Sequence, residues 1–167
     1  MNGTGYSRVA IYGIGSESLT AMIKKAAKRK KKLSPRAEAR AIFENLTEQE
    51  KIKGHHSNEG MAIRVLSRGL SGWLERTLSH QDAYVLCDET LEQWLRRRVT
   101  GGPWSPVQFI ELVVQGLEGG SITEDNACDL ISLRAMRNAV VNRKIRVGDR
   151  QVIAALRRST RLLETYW

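Results

Sequence analysis

From Met61 to Leu78 the apolar residues Met61, Val65, Leu66, Leu70, Trp73, Leu74 and Leu78 return every three to four positions. That spacing lays one apolar stripe along a helix and does not suit a strand, whose faces alternate every second residue. A stripe of this kind must be covered by further helices, and most of the remaining chain has the same period. Gly69 and Gly72 interrupt it. Each costs about 1 kcal/mol relative to alanine unless a neighbouring helix packs closely there.

On either side of this stretch the chain reads as further helices. Pro35, after Ser34, suits the first turn of a helix through "RAEARAIFENL". "TEQE", residues 47–50, has the capping-box pattern, with Thr47 as cap and Glu50 reaching back. "DETLEQWLRRRV" predicts a helix capped by Asp88, with Leu91, Trp94 and Leu95 inward, and "TGGPWSP" breaks the chain after it. Then follow "VQFIELVVQGL", a sharp "EGGS" turn, a helix starting near Thr123, and a last helix with Val152, Leu156, Leu162, Leu163 and Tyr166 on one side. The short connections predict an all-α antiparallel helical bundle. Ahead of it, "RVAIYGIG" reads as a short strand or extended arm, Ser18 as the cap of a helix bearing Leu19, Met22 and Ile23, and residues 24–32 as a basic segment. We accordingly expect a partly helical basic segment at 1–46 and the bundle at 47–167.

The chain holds 27 Lys and Arg against 18 Asp and Glu, a net charge of +9, which favours polyanionic partners such as nucleic acid or an acidic protein. Seven of the nine residues at 24–32 are basic: Lys24, Lys25, Lys28, Arg29, Lys30, Lys31 and Lys32. Such a block repels itself and orders on a partner. Arg96, Arg97 and Arg98, then Arg143, Lys144 and Arg146, then Arg157, Arg158 and Arg161, spread further charge over several helices. The first two of these clusters join the basic segment as expected nucleic-acid contacts. Aromatic residues are only 6%, which argues against a stacking platform for single strands. The two cysteines, Cys87 and Cys128, suit neither a disulfide framework nor a zinc knuckle, and a reducing, cytoplasmic setting is expected. No run approaches the roughly 18 apolar residues of a membrane span, and "MNGTGYSRVAIYGIGSES" lacks a signal-peptide core.

Few residues look like chemistry. Gly13 and Gly15 in "IYGIGSES" stand where a phosphate-cradling turn would, but Ser18 replaces the third glycine and no P-loop lysine follows. His55 and His56 share a polar loop without an acidic or cysteine partner at ligand spacing, and His80 lies near Asp82. No hydrolase triad, metal site or cofactor is expected. The puzzle is "ISLRAMRNAVVNRK", residues 131–144. At about 100° per residue, Leu130, Leu133, Val140 and Val141 all project within about 60° of Arg137. A guanidinium placed there needs a carboxylate, backbone carbonyls or a water-filled cleft, one shared with a second subunit included. Glu111 and Glu118 on the preceding helix are candidate partners. The alternative is an arginine that snorkels past the edge of the stripe.

The segment from Gly116 to Trp167 resembles the C-terminal half of HEPN-type helical domains, in which a short turn and an acidic helix start lead to a Leu-x-x-x-Arg-Asn-x-x-x-His box. The matching residues are Leu133, Arg137, Asn138 and, at the place of the histidine, Asn142. In HEPN ribonucleases the arginine and histidine meet across a dimer and cut RNA without metal. The resemblance therefore implies an RNA-related role, with RNA favoured over DNA, and a homodimer or a place in a larger complex. Arg137, Asn138 and Asn142 are the candidate catalytic residues. Asparagine cannot exchange a proton near neutral pH as histidine does, so an RNA-binding regulatory or interaction module of a bacterial or phage defence system is expected rather than a nuclease. The alternatives are a metal-independent ribonuclease, which would need another acid–base group such as His80, and a small helical subunit of a CRISPR-type ribonucleoprotein.

Overall fold

A computed structural model describes residues 33–54 and 56–166, and within them the chain is all-helical. The expected strand at "RVAIYGIG", the glycine pair, the basic run at 24–32 and His55 lie outside the described residues. Six helices follow one another: α1 (Pro35–Lys53), α2 (Asn58–Leu74), α3 (His80–Thr100), α4 (Phe109–Glu118), α5 (Glu124–Val141) and α6 (Asp149–Glu164). Connections of four to eight residues join them, and every consecutive pair packs together, as in an up-and-down bundle. The longest helix, α3, is the hub, touching α2, α4, α5 and α6. Its inner side supplies Leu91, Trp94 and Leu95, packed in one core with Leu46, Ile63, Leu66, Leu112, Leu133 and Leu162.

Each helix start has a local cause. The Ser34, Ser57, Ser79 and Thr123 hydroxyls accept the backbone N–H three residues on, satisfying a donor that has no partner inside the helix. The Gly148 N–H instead donates to the Gln151 side chain, 3.1 Å away, at the start of α6. Two expected starts are corrected. Thr47 opens no helix: α1 runs through it, and its hydroxyl donates to the Phe43 carbonyl one turn back, 2.8 Å away. Ala39, Ile42, Phe43 and Leu46 keep one face of α1 on the core, so burial carries the helix past the cap-like residue. The expected division at 46/47 thus falls inside α1, and the compact unit begins at Leu33. Asp88 is likewise no cap, because α3 starts eight residues earlier at His80 and Ala83, Tyr84 and Cys87 extend its buried side.

Gly69 shows why α2 tolerates a glycine. A Cβ there would stand 1.8 Å from Leu86 Cδ2 on α3, so the missing side chain lets the two helices approach. At the ends of α2 and α5 the left-handed position after the cap holds an arginine, Arg76 with φ 63° and Arg143 with φ 56°. The Lys144 N–H reaches the Ala139 carbonyl (2.9 Å) and the Arg143 N–H reaches that of Val140 (2.9 Å), the Schellman closure that glycine serves best. Arg143→Gly is therefore expected to raise stability by about 0.5 to 1 kcal/mol, net of glycine's greater unfolded freedom. A urea midpoint equal to or below that of the parent protein would contradict this backbone assignment.

Candidate functional site

Where α3 crosses α5, the charged residues of both helices meet. Asp88, Glu92 and Arg96 are each four positions apart and so line one side of α3, while Arg134 and Arg137 are three apart on α5. The Arg134 guanidinium hydrogen-bonds Glu92 Oε2, lies 3.2 Å from Asp88 Oδ2 and stacks over the Phe109 ring at 4.2 Å. Arg137 reaches Asp88 Oδ2 (3.9 Å, from Nε) and the exposed Glu89 (3.5 Å, from Nη2). Arg96 closes the network: Nη2 donates to Glu92 Oε1 (2.7 Å), and Nη1 donates to the carbonyls of Ser105 (2.5 Å) and Val107 (2.7 Å). One arginine thus ties the connection between α3 and α4 to the ionic cluster.

The two central carboxylates are pulled in opposite directions. Burial drives the Asp88 carboxyl up to about 6 although Arg134 and Arg137 oppose it, and Glu92 adds a like charge. Burial also penalises the Glu92 anion, but hydrogen bonds from Arg134 and Arg96 outweigh it and hold that group below the usual range. The physical difference is hydrogen bonding. Glu92 receives directed donors on both oxygens, whereas Asp88 Oδ2 has charges nearby but no hydrogen bond.

This geometry answers the question of the arginine on the apolar stripe. Leu130, Leu133 and Val140 are buried, Val141 is exposed, and the Arg137 side chain, 26% exposed, sits at the stripe's edge with its charge met by carboxylates. Those carboxylates come from α3, not from Glu111 and Glu118, which are exposed on α4. Asn138 is exposed and accepts from Arg137 Nη1 at 3.4 Å. Asn142 is the exposed C-cap of α5, its N–H bonded to the Asn138 carbonyl. Asp88, Glu89, Glu92 and Arg134 are site residues that the sequence does not mark as such. The four-residue spacing of Asp88, Glu92 and Arg96 is a signal for the α3 side of the cluster, and nothing local marks Arg134.

The expected nucleic-acid contacts fall into three groups. Arg96 is buried, and Arg98 donates to the Ser121 carbonyl (2.9 Å) and Glu59 (3.3 Å) with its guanidinium 4.2 Å above the Tyr166 ring, so both fasten the bundle internally. Arg97 is half-buried against the Met61 sulfur. Arg143, Lys144 and Arg146 are exposed in the turn between α5 and α6. Lys24, Lys25, Lys28, Arg29, Lys30, Lys31 and Lys32 lie outside the described residues. His80 pairs with Asp149 at 2.6 Å, while Asp82 accepts from the Ser79 hydroxyl.

Charge is unevenly divided along the chain. Residues 1–32 hold eight basic side chains against one acidic, net +7, whereas residues 33–167 hold 19 against 17, net +2. Within the bundle, Arg157 pairs with Glu38, and Arg158 and Arg161 pair with Asp129, so the third basic cluster is largely neutralised. Among the described residues, no group of three or more His, Cys, Asp or Glu side chains is placed to hold a metal ion, and no helix is long and apolar enough to cross a membrane. Cys87 is buried, Cys128 is exposed, and both are free thiols. Fold and site together define an all-α bundle braced by an internal ionic cluster. Comparison with protein-family models, curated proteins and solved structures returns no match.

Proposed function

We propose that the chain is an HEPN-like module that binds RNA and acts by interaction or regulation in a bacterial or phage defence system, without cutting RNA itself. The observation that carries this reading is the separation of charge: the bundle is nearly balanced at net +2, with half of its sixteen arginines paired to carboxylates among the described residues, while +7 is concentrated in residues 1–32. A surplus of that kind, dense and unbalanced, is what attracts a phosphate backbone. Exposed Arg143, Lys144 and Arg146 add a second basic edge beside the box. The ion pairs of Arg137 and the chemistry of Asn142 leave the box without an acid–base group, which supports binding over cleavage. Along α4, Ile110, Val114 and Leu117 are exposed at helical spacing, apolar area of the kind a second copy would cover in the proposed homodimer.

Gel shift with single-stranded RNA tests the reading. Seven phosphates neutralised on a single strand give a salt slope of about −5, so raising salt fourfold should lower affinity about a thousandfold. Replacing the seven basic residues at 24–32 by glutamine should flatten that slope. RNA incubated with the protein in EDTA should stay intact. No shift at about 50 mM salt, where such contacts bind tightly, or equal binding by the neutralised variant, would sink the proposal.

A further inference from the structure

Away from the ionic cluster, a cleft of about 380 Å³ opens where the end of α2 meets the starts of α1, α3 and α6. Arg36, in the first turn of α1, and Arg76, just past the end of α2, both line it, and neither guanidinium has an ion pair among the described residues. His80 and Asp149, the first residues of α3 and α6, line it as well, and His80 Nε2 lies 2.6 Å from Asp149 Oδ1. The Trp73 ring stands edge-on to His80, 5.8 Å between centroids and 78° between planes, so the imidazole is held from two sides. Leu74 and Leu78 complete the wall with apolar surface.

We infer that this cleft is a binding site for a phosphate ester, a mononucleotide or a phosphate of a nucleic-acid strand. The charges favour it. Two guanidinium groups with no ion pair among the described residues line it beside a His80–Asp149 pair whose carboxylate is already engaged, so the cleft is cationic whether the imidazole is neutral or protonated. Guanidinium forks match phosphate oxygens two at a time, and the His80 ring, with Nε2 committed to Asp149, offers Nδ1 as a further polar contact. Three helix N-termini converge on the same place and add positive potential. Three other carboxylates close by in the chain are engaged elsewhere: Asp82 with the Ser79 hydroxyl, Glu75 with that of Ser71 at 2.8 Å, and Glu38 with Arg157. The leucine wall gives an attached sugar or base an apolar surface. Arg76 is especially informative because it occupies a left-handed position, φ 63°, at which glycine folds with less strain. Its guanidinium is thus present at a backbone position that does not favour it.

The site lies outside residues 24–32 and so goes beyond the RNA-binding reading. Its test is a titration of the full-length protein with uridine monophosphate and with inorganic phosphate, following the side-chain nitrogen resonances of His80 by NMR. Both ligands should shift His80 saturably. Arg36→Ala and Arg76→Gly should each weaken binding about tenfold, the effect of losing one charge-assisted contact. Arg76→Gly should at the same time keep or raise the urea midpoint, which separates lost binding from lost folding. A 5′-phosphorylated oligonucleotide that binds more tightly than the mononucleotide, and loses that gain in Arg76→Gly, would identify the strand as the source of the phosphate. Equal affinities for the two would identify the free mononucleotide. No shift of His80 at millimolar ligand, or unchanged affinity in both arginine variants, would overturn the inference. Glutamine substitution across the basic run at 24–32 should leave mononucleotide binding intact, so loss of RNA binding and loss of this site are distinguishable.

Discussion

Arg134→Met is expected to destabilise the protein by about 3 kcal/mol at pH 7, the range found when one partner is removed from a buried ion pair. The methionine keeps an apolar body against Phe109 but removes the charge that Asp88 and Glu92 share. Asp88, 2% exposed, would then face Glu92 with only the longer contact to Arg137. The loss should shrink in acid, because Asp88 titrates at about 6 and takes up a proton there. The parent protein has its own signature. A carboxyl raised from 3.8 to about 6 on folding stabilises the folded state below the unfolded value and loses that contribution as pH rises through about 6. Between pH 4.5 and 7 this amounts to about 2 kcal/mol. Asp88→Asn abolishes the titration, so urea unfolding at the two pH values should show the difference from the parent moving about 2 kcal/mol in favour of the variant. A constant difference would mean that Asp88 ionisation is not linked to folding.

The second large effect is at Trp94. Trp94→Ala should cost about 4 kcal/mol, the range for removing a large aromatic from a packed core. Trp94 is 1% exposed, its Nε1 donates to Glu59 Oε1 at 3.1 Å, and its ring lies 5.2 Å from that of Tyr166. Truncation opens a void at the hub helix, leaves Glu59 with only its contact to Arg98 and removes one of the two rings on which Arg98 lies. Trp94→Phe retains the ring and should cost less than half as much. Chemical denaturation of the two variants separates packing from the hydrogen bond, and near-equal losses would place the effect in the hydrogen bond alone.

Much of the fold was legible because helical periodicity is local. Leu66, Leu70 and Trp73 of the first stripe and Val152, Leu156, Leu162 and Leu163 of the last are buried where the spacing put them, whereas Met61, Leu74 and Leu78 are partly buried and Val65 is exposed. Thr123 caps α5 as its position implied. Asp88 and Thr47 failed for a shared reason. Both are good capping residues by chemistry, but each lies on a helix whose buried side continues past it, and burial of several apolar side chains outweighs one cap worth about 1 kcal/mol.

The candidate site was less legible. Arg137 stood out because it broke an apolar pattern within one helix. Its partners Asp88 and Glu89, 49 and 48 residues earlier, carry no local mark of that contact. The arginine run at 96–98 reads as one basic cluster, yet successive residues on a helix point about 100° apart. Arg96 therefore turns to the Ser105 and Val107 carbonyls while Arg98 turns to Tyr166.

By itself the sequence determined the all-α class, the apolar faces and the sign and crowding of charge at 24–32, because each depends on neighbours within a turn or two. Only the tertiary structure decided which charges remain available. It brought Arg134 to Glu92 and Asp88, His80 to Asp149, and left Arg36 and Arg76 without a carboxylate partner among the described residues. Such pairings depend on how far one helix slides and turns against another. That register is set by the whole packed core, not by any segment that can be read alone.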